Sequence, residues 1–182
     1  MPDIKLGSLF DGIGVFPLAA SRCGIRPVWA SEIEKAPISI TKRHFPEMEH
    51  LGDITKIDGG KIEPVHVLTF GSPCQNLSLI GNRSGLAGAK SSLFYQAFRI
   101  VHEMRDATDN LYPVILVWEN VMGAFSTNDR MDFRAVLSAF ADTEVPMPPS
   151  GRWGNAGMVR GGTPDVSWRL MDAQYWAGTR RL

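Results

Sequence analysis

IKLGSLFDGIGVFPLAASRCG, residues 4–24, decides the fold of this chain. A short apolar run, Ile4–Phe10, ends in a glycine turn, Asp11-Gly12-Ile13-Gly14. Val15–Cys23 then reads as a helix, and Gly24 stands where helices often stop. Working outward, Arg26–Ser31 (RPVWAS) reads as a second strand and Glu34–Phe45 as a second helix, with Ile38, Ile40 and Phe45 available for burial. Val65–Phe70 is a third strand, bounded by Gly71, and Ser92–Arg105 has apolar residues at helical spacing. Pro113–Trp118 is a near-continuous apolar run, which fits a strand buried on both faces of a parallel sheet. Asp132–Phe140 is a further helix. The alternation predicts a doubly wound α/β fold, a mostly parallel sheet with helices on both faces. Ligands in such sheets sit beyond the carboxyl ends of the strands. That rule selects Phe10–Gly14, Glu32, Gly71–Asn76 and Glu119–Asn120.

The composition is that of a soluble globular chain: 182 residues, 44% hydrophobic and 21% charged. This length is a prior for one domain. No stretch approaches the roughly 18 apolar residues of a membrane span, and the N-terminus lacks the layout of a secretory signal. Lys+Arg and Asp+Glu both number 19, so any nucleic-acid contact has to come from a local patch. Two cysteines, Cys23 and Cys74, make neither a disulfide framework nor a CxxC metal site, and no metal is expected. After Thr143 the texture changes. Residues 145–162 are rich in proline and glycine and read as loop or hairpin, and Val166–Trp176 reads as strand or short helix.

Each selected motif has a bland reading beside a chemical one. Gly12-Ile13-Gly14 fits a nucleotide-binding turn, yet Pro17 stands where a dinucleotide fingerprint has its third glycine, and a plain tight turn is the alternative. Glu32 closes the second strand. It can accept both hydroxyls of a ribose in a dinucleotide or adenosyl ligand, or be an acidic residue at a helix start. Gly52-Asp53-Ile54-Thr55 either serves the same ligand or is a turn. Pro73 restricts Ser72 and fixes its own φ, which aims the Cys74 thiol. A reactive cysteine needs such a site, whereas Cys23, in a helix beside Leu18 and Ala19, reads as a buried small hydrophobe. Glu119 ends an apolar strand, where a carboxylate is costly unless paired or used, while Glu119-Asn120 as a helix cap is the structural alternative. The run 77–92 (LSLIGNRSGLAGAKSS), with Ser78, Arg83 and Lys90, reads as an active-site loop or a surface loop.

Taken in order, these residues resemble the C5-cytosine DNA methyltransferases over about Ile4 to Phe140. The motifs are Phe10-x-Gly12-x-Gly14, Glu32, Gly52–Thr55, Pro73-Cys74-Gln75, Leu93-Phe94 and Glu119-Asn120-Val121. The resemblance implies a Rossmann-like methyltransferase fold, S-adenosylmethionine as cofactor, and transfer of its methyl group to C5 of a cytosine flipped out of double-stranded DNA. It further implies DNA methylation of the restriction–modification kind, in a cytoplasmic protein of bacterial or phage origin. Catalysis falls to Cys74 as nucleophile and Glu119 as its partner acid, with Pro73 and Asn120 beside them. The cofactor falls to Phe10, Asp11, Gly12, Ile13, Gly14, Glu32, Ile33, Asp53, Ile54 and Leu93. Gln75, Ser78, Arg83 and Lys90 fall on the DNA side.

The sequence departs from the family near its end. The family's Gln-x-Arg-x-Arg segment is represented only by Thr179-Arg180-Arg181-Leu182, without the Gln and without a position for the second Arg. By the resemblance, the family's target-recognition domain and the C-terminal segment that completes its cofactor pocket are expected to have no counterpart within residues 1–182. Residues 1–182 therefore read as a partial catalytic and cofactor-binding domain whose sheet is incomplete and leaves an apolar edge exposed. Three functions follow: a methyltransferase half acting with a second polypeptide that carries the recognition domain, a non-catalytic remnant that binds cofactor or DNA, and a dinucleotide oxidoreductase. The last explains neither Cys74 nor Glu119.

Overall fold

The first strand, β1 (Lys5–Leu9), is central because Leu6, Ser8 and Leu9 are all buried. It pairs in parallel on one side with β2 (Arg26–Ser31) and on the other with β4 (Val67–Phe70). Beyond β2 lies the two-residue β3 (Glu49–His50), and beyond β4 lies β5 (Ile115–Trp118), giving the order β3-β2-β1-β4-β5 with every pairing parallel. The helices are α1 (Val15–Arg22), α2 (Lys35–His44) and α3 (Leu93–Ala107). Right-handed crossovers place α1 and α2 on one face of the sheet and α3 on the other. Strand order reverses between β1 and β4, the switch point beside which ligands of such sheets bind. The structure is a computed structural model that describes residues 3–71, 93–126, 128–160, 164–172 and 174–177.

These residues fall into two compact units, one up to residue 120 and one from residue 121. In the first, Leu9, Trp29, Leu68, Phe70, Phe94 and Ile100 are fully or almost fully buried. The second is built on α4 (Met131–Ala141), whose Phe133, Val136 and Leu137 are buried. An antiparallel pair, β6 (Ala156–Val159) and β7 (Val166–Arg169), and a short α5 (Gln174–Ala177) complete it. Phe125, Phe133, Trp153 and Trp168 meet edge to face, with ring centroids 4.6–5.9 Å apart. The indole N–H groups of Trp153 and Trp168 donate to Arg130 O and Gly154 O, so the cluster is apolar in body and satisfied at its polar tips.

The predicted strands and helices are all present, with ends shifted by one or two residues. Three expectations change. Pro113–Trp118 is not a strand buried on both faces: β5 is an edge strand among the described residues, and Val114, Ile115 and Val117 are exposed. Ile40 is exposed as well; Thr41 takes the buried position of α2 because its hydroxyl finds Pro37 O one turn back. Cys23, the C-terminal cap of α1, is exposed rather than buried. No helix among the described residues is long and apolar enough to cross a membrane.

Candidate cofactor and catalytic site

The glycine turn is built from the end of β1. Phe10 has φ 55°, a left-handed conformation that is rare for a bulky side chain. Gly12 and Gly14 follow at φ 59° and 82°, and Gly14 caps α1. Backbone strain of this kind at a non-glycine costs on the order of 1–3 kcal/mol and persists where the surroundings over-determine it. Here Asp11 N donates to Ser31 O (3.0 Å) and Gly14 N to Asp11 O (3.2 Å).

Glu32 ties the turn to the next strand. Its Oε2 accepts from Gly12 N (2.9 Å), and its Oε1 accepts from Ile33 N (2.8 Å) and Glu34 N (3.0 Å). A carboxylate offers about four acceptor positions. Three are taken, so a ribose diol held by both hydroxyls would displace one of these N–H donors. Ser31, absent from the sequence expectations, is the second knot: its hydroxyl donates to Gly52 O (2.7 Å) while its carbonyl holds Asp11. Thus the glycine turn, Glu32 and the 52–55 corner meet at the end of β2. In that corner Asp53 Oδ1 accepts from Thr55 N (2.9 Å) and Thr55 Oγ1 (2.8 Å). The Thr55 N–H holds the Asp53 carboxyl below its usual range, so it stays an acceptor.

Asp11 is the buried member of the group. Burial pushes its carboxyl above the usual range; the hydroxyls of Ser8 and Thr41 offset part of this, and the Glu32 carboxylate adds to it. Its Oδ1 and the Ser8 hydroxyl lie buried without a hydrogen bond of standard geometry. His50, at the end of β3 and two residues before Gly52, has both ring nitrogens buried with no hydrogen-bond partner among the described residues, and burial keeps the ring toward the neutral form.

On the other side of β1, Phe94 at the start of α3 packs against Phe70 (centroids 6.2 Å) and Trp118 (5.9 Å). These are the last residues of β4 and β5, so the helix start is pinned over both strand ends. Glu119 N donates to Phe70 O (3.1 Å), and a Cβ built on Gly71 would lie 3.5 Å from Glu119 Oε2. Glu119 is exposed; the burial expected of it is absent because β5 is the edge.

An adenosyl amino acid needs an acceptor pair for its ribose, an acceptor for its adenine amine, apolar surface for the ring and close-approaching backbone for the amino-acid end. Glu32, Asp53, the half-buried Phe10 with exposed Ile13 and Ile33, and the Gly12–Gly14 turn supply these in that order. The residues fit the group.

The sequence profile of the C-5 cytosine-specific DNA methylases matches residues 4–144. The chain belongs to this family. Among curated proteins the methylase-family chain is 30% identical over its whole length to a protein of Escherichia phage P1 named DNA N-6-adenine-methyltransferase, covering 28% of that protein. It is 33% identical to the type II methyltransferase M.NlaIV of Neisseria lactamica (72% of this chain, 31% of that one). With M.HhaI of Haemophilus parahaemolyticus it shares 32% (69% of this chain, 36% of that one). It thus spans about a third of the length of these relatives. A crystal structure of a DNA modification methyltransferase encoded within an Escherichia coli prophage superposes with a TM-score of 0.57 at 20% identity, over 86% of this chain and 40% of that one. It shows the same fold.

Of the residues expected on the cofactor side of this methylase-family chain, Phe10–Gly14, Glu32, Ile33, Asp53, Ile54 and Leu93 all lie at or just beyond carboxyl ends of strands or at the start of α3. Hydrogen bonds join the glycine turn, Glu32 with Ile33 and, through Ser31, the 52–55 corner; Leu93 precedes Phe94 at the start of α3. Ile54 is buried beneath its corner, so its backbone rather than its side chain is available to a ligand. Glu119 and Asn120 follow β5 as expected. Pro73, Cys74, Gln75, Ser78, Arg83 and Lys90 lie outside the described residues. Sequence reading missed Ser31, Thr41 and Arg99, which carry no motif and bond backbone carbonyls of Gly52, Gly12 and Ile54, and Glu103, which accepts from Arg99 and Gly59 N.

Phe10 yields a test with opposite signs. Phe10→Gly removes the left-handed strain and is expected to leave stability unchanged or raise it by about 1 kcal/mol, while weakening S-adenosylhomocysteine binding about tenfold through loss of the ring. Phe10→Ala keeps the strain and loses the ring, so it should weaken both. Urea unfolding and calorimetry of the two variants check this; equal stabilities would show that Phe10 is unstrained.

Proposed function

We propose that this chain is the catalytic and cofactor-binding part of a DNA (cytosine-5)-methyltransferase, acting on a flipped cytosine in double-stranded DNA with S-adenosylmethionine. The observation that carries the cofactor reading is the knot at Glu32, Ser31 and Gly12, which gathers three separate motifs at one strand end. Bound there, S-adenosylmethionine supplies an electrophilic methyl group. Glu32 receives the ribose hydroxyls, Asp53 and the Ile54 backbone meet the adenine edge, and Phe10 and Ile33 cover its faces. The Cys74 thiolate adds to C6 of the cytosine: the S–C6 bond forms, and Glu119 delivers a proton to N3. The ring then carries electron density at C5, the position that takes the methyl group. Once C5 carries the methyl group, its proton passes to solvent water, the freed electron pair re-forms the C5–C6 double bond as S–C6 breaks and returns the Cys74 thiolate, and N3 gives its proton back to Glu119. In this reading Pro73 and Asn120 stand beside the two catalytic groups in sequence, and Gln75, Ser78, Arg83 and Lys90 are assigned to the DNA side.

The matched relatives are about three times longer, so the reading assigns methyl transfer to residues 1–182 together with the counterpart of the rest of those relatives, a recognition domain included, whether on the same polypeptide or on a second one. The cytoplasm, where phage and bacterial DNA lies, is the setting this reading implies. The phage P1 relative is named for adenine N-6 chemistry. Attack by an exocyclic amine uses its own lone pair and needs no thiol, so Pro73-Cys74-Gln75 favours C5 of cytosine for this chain.

Calorimetric titration tests the cofactor assignment. S-adenosylhomocysteine is expected to bind more tightly than NAD. The reverse order would make the site a dinucleotide site.

A further inference from the structure

The corner that carries Asp53 and Ile54 is held from a second side, by α3. The Arg99 guanidinium donates to Ile54 O (2.9 Å) and Ile57 O (2.7 Å), the carbonyls at either end of a 3-10 turn over Ile54–Lys56. The same group donates to Gln96 Oε1 (2.7 Å) and to both carboxylate oxygens of Glu103 (2.8 Å each). Glu103 Oε2 in turn accepts from Gly59 N (2.7 Å). Gly59 packs so closely that a Cβ there would lie 2.4 Å from Ile100 O and 2.9 Å from Ile100 Cα. The stretch from 54 to 59 is therefore bolted to α3 by one planar fork and the carboxylate that orients it. Arg99 and Glu103 are each about one-third exposed, and they face three backbone groups of the corner rather than open solvent.

A guanidinium can do this because its donors diverge in one plane and reach two carbonyls at once; a lysine ammonium is a point charge on a flexible stem. The corner has few other anchors. Ser31 Oγ holds Gly52 O, and Leu51 N donates to Ala30 O, both upstream of Asp53. Downstream, the Ile54 carbonyl has among the described residues only a long bond from Ile57 N (3.4 Å) besides Arg99. Asp53 has one oxygen committed to Thr55, while the other meets, among the described residues, only the exposed Lys56 ammonium at 4.0 Å. Where that second oxygen sits depends on the turn that follows it, and Arg99 fixes that turn.

We propose that Arg99 is a positioning residue for nucleobase selection: by clamping Ile54 O and Ile57 O it sets the Asp53 carboxylate to accept an exocyclic amine and so to prefer a 6-amino purine over a 6-oxo purine. This rests on the assignment of Asp53 and Ile54 to the adenine of the cofactor. A displaced acceptor still leaves the ribose and amino-acid contacts, so the clamp governs selectivity more than binding as such. Glu103 orients Arg99 and receives Gly59 N, which Gln can also receive; Glu103→Gln therefore loosens the clamp less than loss of Arg99.

The test compares S-adenosylhomocysteine with S-inosylhomocysteine, which presents a carbonyl where adenine has its amine, by titration calorimetry on the full chain. Wild-type protein is expected to prefer the adenosyl compound by about tenfold or more, the order of one charge-assisted hydrogen bond. Arg99→Met should cut that preference to within about threefold. Arg99→Lys should fall between, and Asp53→Asn should lose the preference. Wild-type preference retained in Arg99→Met, with Asp53→Asn having lost it, overturns the clamp and leaves the adenine assignment standing. Preference absent from wild type, or retained in Asp53→Asn, overturns the assignment and the clamp with it. Circular dichroism monitors folding. If Arg99→Met does not fold, Arg99→Lys decides: a preference equal to wild type overturns the proposal, and a reduced one supports it.

Discussion

Cys74→Ser is expected to abolish covalent capture of DNA containing 5-fluorocytosine. The capture reaction uses the chain mixed with a polypeptide that supplies the remaining two thirds of the length of its relatives. Fluorine at C5 cannot leave as a proton does, so a methylated adduct cannot collapse and the S–C6 bond persists. A serine hydroxyl is almost wholly protonated near neutrality, whereas thiolate is the form that attacks. The rate loss should be at least about a thousandfold, roughly 4 kcal/mol of barrier. S-adenosylhomocysteine affinity should stay within about twofold, because the cofactor motifs are anchored to β1, β2 and α3 by bonds that do not involve residue 74. Gel shift under denaturing conditions and peptide mapping read the outcome. An adduct surviving in Cys74→Ser, or mapping to the exposed Cys23, would show that the wrong thiol carries the chemistry. Methyl transfer to adenine N6 with no covalent adduct would instead move the chain toward the chemistry named for its phage P1 relative.

Sequence revealed what depends on local pattern and hid what depends on who sits next to whom. β1, α1 and β2 were legible because a glycine turn, two helix ends and three apolar runs fall within 31 residues. The cofactor motifs were legible because Glu32, Asp53 and the glycines are chemically distinctive at strand ends. The edge position of β5 was not legible: an apolar run looks alike whether or not a further strand pairs with it. Nor was β3, whose two residues pair with Trp29 and Ala30 but have no period of their own. Ser31, Arg99 and Glu103 escaped for a different reason. Each acts on a backbone carbonyl or N–H of a distant residue, and backbone groups leave no mark in the sequence. Thr41 was passed over because threonine within a helix is usually read as surface, yet here its back-bond to Pro37 O allows burial beside Asp11.

Phe94→Ala should be the most destabilising single truncation in the first unit, by about 3–5 kcal/mol. Phe94 is 2% exposed and touches Phe98 (centroids 5.0 Å) as well as Phe70 and Trp118. Its ring fills the space among α3 and the last residues of β4 and β5. Domains of this size commonly hold only about 5–15 kcal/mol in total, so the loss removes a large share. Urea unfolding should show a lower midpoint at unchanged slope, the sign of lost stability rather than an altered unfolded state. The consequence for chemistry follows from position. Phe70 leads directly to Gly71 and Trp118 to Glu119, and Gly71 is the last described residue before the segment that carries Cys74. A cavity beneath these two strand ends lets them drift, and a misplacement of about 1 Å at reacting groups can cost on the order of a hundredfold in rate. Phe94→Leu separates the two effects. It keeps most of the volume and should retain the fold with a loss nearer about 1–2 kcal/mol, yet it removes the tilted ring contact with Phe70 and the edge-to-face contact with Trp118. Methyl transfer by the Leu variant should therefore fall further than its stability, with S-adenosylhomocysteine binding little changed. Equal, small losses in both would mean that Phe94 fills space without aligning the two strand ends.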